Sequence, residues 1–203
     1  MRPEIRRFLT YLVKPWDDLN ALLGRPIAIQ PDHSDVTGRA YSLAVAIKHQ
    51  CDWDGPRQRG TINTLSAENR LMSDIADSFK HGRLDDANRM SNLAVAAQFE
   101  GNSSNQFRFM RNVIIVSHAS LGEHDFMMAS RSAIQFWIGR LGLPLLWSPE
   151  VIDAPSEFAD EMTLAFSSDY QVSMSETRIR VVRRTLAGEF EQYDPPSFKL
   201  AVY

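Results

Sequence analysis

The stretch from Val113 to Trp147, VIIVSHASLGEHDFMMASRSAIQFWIGRLGLPLLW, constrains the fold more than any other part of the chain. Val113, Ile114, Ile115 and Val116 are consecutive β-branched residues, stiff at χ1 and suited to a pleated backbone. Such a short, continuous apolar run predicts a strand buried on both faces. Ser117 to Gly122 then reads as a polar turn. From Glu123 the period changes. Phe126, Met127, Ala133, Ile134, Trp137, Ile138 and Leu141 recur at helical spacing and form one wide apolar stripe. Glu123 and Asp125 fall in the first turn, where the helix dipole favours acids, and Arg140, Gly142 and Pro144 mark the end. Leu143–Trp147 returns as a second short strand, which gives a βαβ unit of about 30 residues. The alternative is a helical hairpin, because Phe107, Met110, Ile114 and Ser117 also fit a helical wheel.

Upstream, residues 3–23 form an amphipathic helix with Ile5, Phe8, Leu9, Leu12, Trp16, Leu19 and Leu23 on one face, kinked or divided at Pro15 and ended by Gly24. Arg25–Gln30 reads as a short strand and Pro31–Ser34 as a loop. Asp35 caps a helix through Val36, Ala40, Leu43, Ala44, Ile47 and Cys51. Asp52–Thr64, with Asp-Gly, Pro and a second Gly, reads as a loop. Ser66 caps a helix whose buried face is Leu71, Met72, Ile75 and Phe79, closed by Gly82. Asp85-Asp86 start a further helix through Ala97, so the two make an antiparallel helical hairpin.

Downstream, Ser148-Pro149-Glu150 has the signature of a helix start, and Phe158, Met162 and Phe166 continue at helical spacing. Ser173 and Glu176 have capping-box spacing, followed by Ile179, Val182 and Leu186. The alternative there is strand, since Arg178 to Val181 alternates. Phe198, Leu200 and Val202 alternate as an edge strand or docking tail.

Composition bounds the class. With 203 residues, 44% hydrophobic and 23% charged, the chain is long enough to bury a core without staples. The net charge of −3 gives no global attraction to nucleic acid or anionic lipid. The one cysteine, Cys51, excludes an internal disulfide framework and a multi-cysteine zinc site, and fits a reducing, cytoplasmic setting. Its place on an apolar face marks it as a buried structural thiol. No apolar run approaches the roughly 18–20 residues that span a bilayer, and the N-terminus does not read as a signal peptide.

Three constellations carry chemistry. If Val113–Val116 is a strand, His118, Ser120, His124 and Asp125 lie beyond its carboxyl end, where α/β sheets place ligands. Imidazole titrates near neutral pH and a carboxylate can orient it, so His118, as general base or metal ligand, with His124 and Asp125 forms a candidate hydrolase or transferase site. The rival reading is a set of turn and helix-start residues satisfied by the backbone. Arg180, Arg183 and Arg184 share a face if helical and could contact phosphates; nearby Glu176, Glu189 and Glu191 favour a solvated, salt-bridged face. Met128 and Phe136 lie off the main stripe of the central helix, and Trp53 stands in the loop after Cys51. All three are candidates for an interface.

There is no G-x-S-x-G elbow, Walker A loop or G-x-G-x-x-G, and nothing implies a cofactor. The expected fold is α+β, a helix-rich single domain over 1–203 with a small sheet, or else mainly α. Its subdivision would be a helical half, 1–100, and a βαβ-like unit with C-terminal helices and tail, 107–203. The expected function is non-enzymatic interaction or assembly through an oligomer or partner interface. The alternatives are the His/Asp enzyme and nucleic-acid binding by the arginine face.

Overall fold

The computed structural model describes residues 2–26, 32–54, 59–153, 155–164 and 178–202. In chain order the elements are α1 (Pro3–Phe8), a π-helical turn (Leu9–Val13), α2 (Lys14–Leu23), α3 (Asp32–Lys48), α4 (Cys51–Asp54), α5 (Arg59–Leu65), α6 (Ala67–His81) and a 3-10 turn (Ala87–Arg89). There follow β1 (Ser91–Gly101), β2 (Phe107–His118), β3 (Gly122–Asp125), α7 (Phe126–Arg140), β4 (Met162–Leu164), β5 (Ile179–Arg184), β6 (Phe190–Gln192) and β7 (Leu200–Val202). The class is α+β. No helix among the described residues is long and apolar enough to cross a membrane.

Five strands pair in the order β3-β2-β1-β5-β6, and β4 pairs with β7 in parallel. β1 and β2 are joined by residues 102–106 alone, too few for a crossover, so they run antiparallel. β5 lies parallel to β1, with Phe99 opposite Val181. Two compact units are distinguished, residues 1–20, 37–94 and 114–151 in one and residues 21–36, 95–113 and 152–203 in the other.

In the first unit, Trp16 of α2 is fully buried, and its indole N–H donates to Met127 O at 3.2 Å and Ser130 Oγ at 3.1 Å in α7. Ser66 caps α6 by accepting the Asn69 N–H, and Gly82, with φ of 68°, ends it in a conformation that costs other residues energy. After α7 the chain runs extended to Val151, with odd-numbered side chains half-buried and even-numbered ones exposed. Trp147 anchors this strap edge-to-face on Trp16, with centroids 5.2 Å apart, and its N–H donates to Asp17 at 3.3 Å. Arg131 and Asn20 hold the carbonyls of Pro149 and Glu150. In the second unit, Ala97, Phe99, Phe107, Phe109, Met162, Leu164 and Val181 form the core.

Several expectations are overturned. The second helix from Asp85 is β1: Leu93, Val95, Ala97 and Phe99 alternate, and pairing with both β2 and β5 overrides the alanines' helical propensity. No βαβ unit forms, because β2 turns straight into the antiparallel β3 and Leu143–Trp147 belongs to no strand. Ser148-Pro149-Glu150 starts no helix, and Met162 lies in a strand. The residues flanking 55–58 are helical, in α4 and α5. α3 starts at Asp32, ahead of the expected Asp35 cap. Phe79 is 56% exposed and stacks on Tyr41 with centroids 4.4 Å apart.

Other expectations hold. Val113–Val116 lies within β2, α7 ends at Arg140, and residues 200–202 form a strand. The division expected at Pro15 falls instead just upstream, at the π-helical turn Leu9–Val13, and α2 runs on through Pro15. Cys51 is buried, with its thiol donating to Lys48 O. Of the expected strand at Arg25–Gln30, Arg25 and Pro26 belong to no strand and residues 27–30 lie outside the described residues, as do Phe166 and the Ser173/Glu176 capping box.

Candidate functional site

The β2–β3 hairpin carries the histidines. His118 pairs with Gly122 and Val116 with His124, so both imidazoles lie on one face of the hairpin; Asp125, opposite Ile115, lies on the other. Both rings turn back onto the turn between the strands. His118 Nδ1 accepts the backbone N–H groups of Ser120, at 3.2 Å, and Leu121, at 3.1 Å. A nitrogen that accepts carries no proton, so the ring proton sits on Nε2, which donates to Asp74 Oδ2 at 3.1 Å. His124 Nε2 lies 3.1 Å from Leu121 O; a carbonyl only accepts, so this nitrogen donates. Asp125 is the N-cap of α7, its Oδ1 accepting from Met127 N at 2.8 Å and Met128 N at 3.1 Å. The histidines meet at the turn, and Asp125 orients backbone rather than either imidazole.

Asp74 leads to a constellation that sequence reasoning missed. Asp74 and Asp77 are one turn apart on α6. Arg89, from the 3-10 turn, bridges them, with Nε 2.7 Å from Asp74 Oδ1 and a terminal nitrogen 2.8 Å from Asp77 Oδ2. Lys48, at the end of α3, donates to Asp77 Oδ1. Arg70 Nε lies 3.9 Å from Asp74. All four carboxylate oxygens therefore face donors. Burial opposes ionisation of Asp77, but the bonds from Lys48 and Arg89 outweigh it and hold the carboxyl below its ordinary range. Burial likewise opposes the charge on Arg89, and Asp74 and Asp77 more than offset it, raising the guanidinium above its usual value.

Chemically this is a closed clasp that ties α3, α6, the 3-10 turn and the end of β2 together, with no oxygen lacking a donor. No group of three or more His, Cys, Asp or Glu among the described residues could hold a metal ion. One sequence signal was available. Asp74 and Ser78 lie beside Leu71 on the buried side of α6, and a buried acid requires partners.

The arginines do not form a helical face. On β5, Arg180 and Arg184 share one side and Arg183 takes the other. Arg183 bonds Glu191 at 2.5 Å and lies over Tyr193. Arg184 bonds Glu100 at 3.3 Å and lies over Phe190, 4.2 Å from the ring centroid. Arg180 also has a partner. Of the interface candidates, Met128 is 44% exposed on the outer side of α7, and Phe136 is half-buried, edge-on to Trp137 at 5.5 Å. The side chain of Trp53 lies outside the described residues.

Compared with protein-family models, with curated proteins and with solved structures, the chain matches none of them.

Proposed function

We propose that the protein is a non-enzymatic interaction or assembly protein, acting in the cytoplasm through an interface with a second copy of itself. The bonding of His118 carries the non-enzymatic half. A general base needs a lone pair facing a substrate proton; the lone pair of His118 is taken by two backbone N–H groups, and its N–H by Asp74. Asp125 and His124 are likewise bound to backbone. The engagement of Arg183 and Arg184 by acids weighs against a phosphate-binding face.

The interface half is supported by large apolar groups left at solvent on packed helices of the first unit. These are Met128 on α7 and Phe79 on α6, stacked on Tyr41 of α3. The deciding experiment is light-scattering mass on a sizing column at low and high salt, with the ultraviolet absorbance ratio recorded to detect nucleic acid. The expected result is a defined oligomer at both salts, free of nucleic acid, that Met128→Lys or Phe79→Ser dissociates. A monomer at every concentration would overturn the assembly reading. Salt-sensitive co-elution with nucleic acid would replace it with the arginine reading.

A further inference from the structure

The second unit contains a cavity of about 310 Å3, near the lower end of the range for small-molecule sites. Strand alternation builds its floor. Phe107 and Phe109 project from one face of β2, joined by Phe99 of β1, and Phe99 and Phe109 meet edge-to-face with centroids 5.7 Å apart. All three rings are buried in the protein. Arg108 and Glu100, being out of phase, project from the other face and bond each other at 2.9 and 2.6 Å, where Arg108 also lies over Phe158.

The side wall comes from residues 156–163, held alongside β2 by its backbone, and Gly24 and Pro26 complete the lining. Phe107 and Ala159 exchange both backbone hydrogen bonds at 2.8 Å. Ser156 binds Phe109 twice at 3.0 Å, through its N–H donating to the Phe109 carbonyl and its hydroxyl accepting the Phe109 N–H. That hydroxyl also donates to Glu157 O, so its proton is not offered to an anion. The charged residues lining the cavity are Glu157 and Glu161; among the described residues no lysine or arginine lines it.

We propose that this cavity is a binding site for a small organic cation, an ammonium carried on an aromatic or short aliphatic body. The apolar lining takes the organic body; Phe99, Phe107 and Phe109, at 1%, 1% and 5% exposure, back this surface rather than present open ring faces. The two carboxylates at the mouth take the ammonium. The hydrogen-bonded wall holds the site open before binding, which lowers the ordering cost. The site is independent of the interface on the first unit, and its failure would leave that interface untouched.

The test is a nitrogen-15 NMR titration of the full chain with three matched probes: 2-phenylethylammonium, 2-phenylethanol and 3-phenylpropionate. The expected result is saturable binding of the cation, with a Kd on the order of a millimolar or below for a probe this small. Shifts should centre on the amides of Phe99, Phe107 and Phe109, and the anion, facing Glu157 and Glu161, should bind at least about tenfold more weakly. Glu157→Gln with Glu161→Gln should weaken the cation roughly three- to tenfold and leave the alcohol unchanged, because partly exposed carboxylates contribute modestly. Glu189→Gln, which removes a charge away from the cavity, should leave all three unchanged. Equal binding of the anion, shifts centred elsewhere, or no saturation of the cation by about 10 mM would overturn the proposal.

Discussion

His118 Nε2 and Asp74 Oδ2 meet 3.1 Å apart, with side-chain exposures of 0% and 1%. On the other side of the same ring, Nδ1 accepts the Ser120 and Leu121 N–H groups. One imidazole therefore satisfies a buried carboxylate and closes a β-turn. Its removal is expected to act on stability. His118→Ala strands two backbone donors and one carboxylate oxygen, and should lower the unfolding free energy by about 2–4 kcal/mol, read from urea unfolding. The oligomeric mass of the folded fraction should be unchanged. A variant with wild-type stability that had lost a measurable activity would restore the enzyme reading.

Asp77 sets an acid-side expectation. Its carboxyl is held below its ordinary value in the folded protein, because Lys48 and Arg89 together outweigh burial. An unfolded aspartate titrates near about 3.9. The stabilisation is therefore complete above that pH and is lost as pH falls through the lower, folded value. Asp77→Asn should be less stable than the parent near neutral pH, and the gap should narrow as unfolding is measured downwards from about pH 6 to pH 3. A gap constant with pH would show that the carboxylate is not held by those cations.

The sequence made some of this legible and hid the rest for physical reasons. Val113–Val116 could be read as strand because four stiff side chains in a row leave the backbone one comfortable conformation. Asp125 was placed at the start of α7 by its charge, although its work is capping rather than orienting an imidazole. β1 was hidden because Ala94, Ala96 and Ala97 favour helix locally. What makes the segment a strand is pairing with β5, which lies far along the chain. The Asp74–Arg89–Asp77 clasp was hidden for a similar reason: Lys48, Arg89 and His118 converge on α6 only once the chain has folded.

The cap offers a test that separates structure from chemistry at a single atom. Asp125 Oδ1 accepts two N–H groups of the first turn of α7. Asp125→Ala should cost about 1 kcal/mol, whereas Asp125→Asn and Asp125→Ser keep an acceptor there and should cost less than half of that. If Asn and Ala proved equally damaging, the charge rather than the acceptor would matter, and Asp125 would regain a candidate chemical role.

The strap after α7 should come loose as a unit. Between Leu143 and Val151 it belongs to no strand. It is held instead by side chains: Trp147 on Trp16 and Asp17, Arg131 on Pro149 O and Asn20 on Glu150 O. An extended segment without a hydrogen-bonded ladder depends on such anchors, and an edge-to-face aromatic pair contributes about 0.5–1.5 kcal/mol beyond the area it buries. Trp147→Ala should therefore lower stability by about 1–3 kcal/mol and speed amide exchange selectively over residues 143–151, while α7 remains protected. Trp147→Phe keeps the ring contact but not the N–H to Asp17, and should recover most of the protection. Uniform acceleration of exchange across α7 and the strap would mean that the strap is an integral part of that helix's packing rather than a segment anchored onto it.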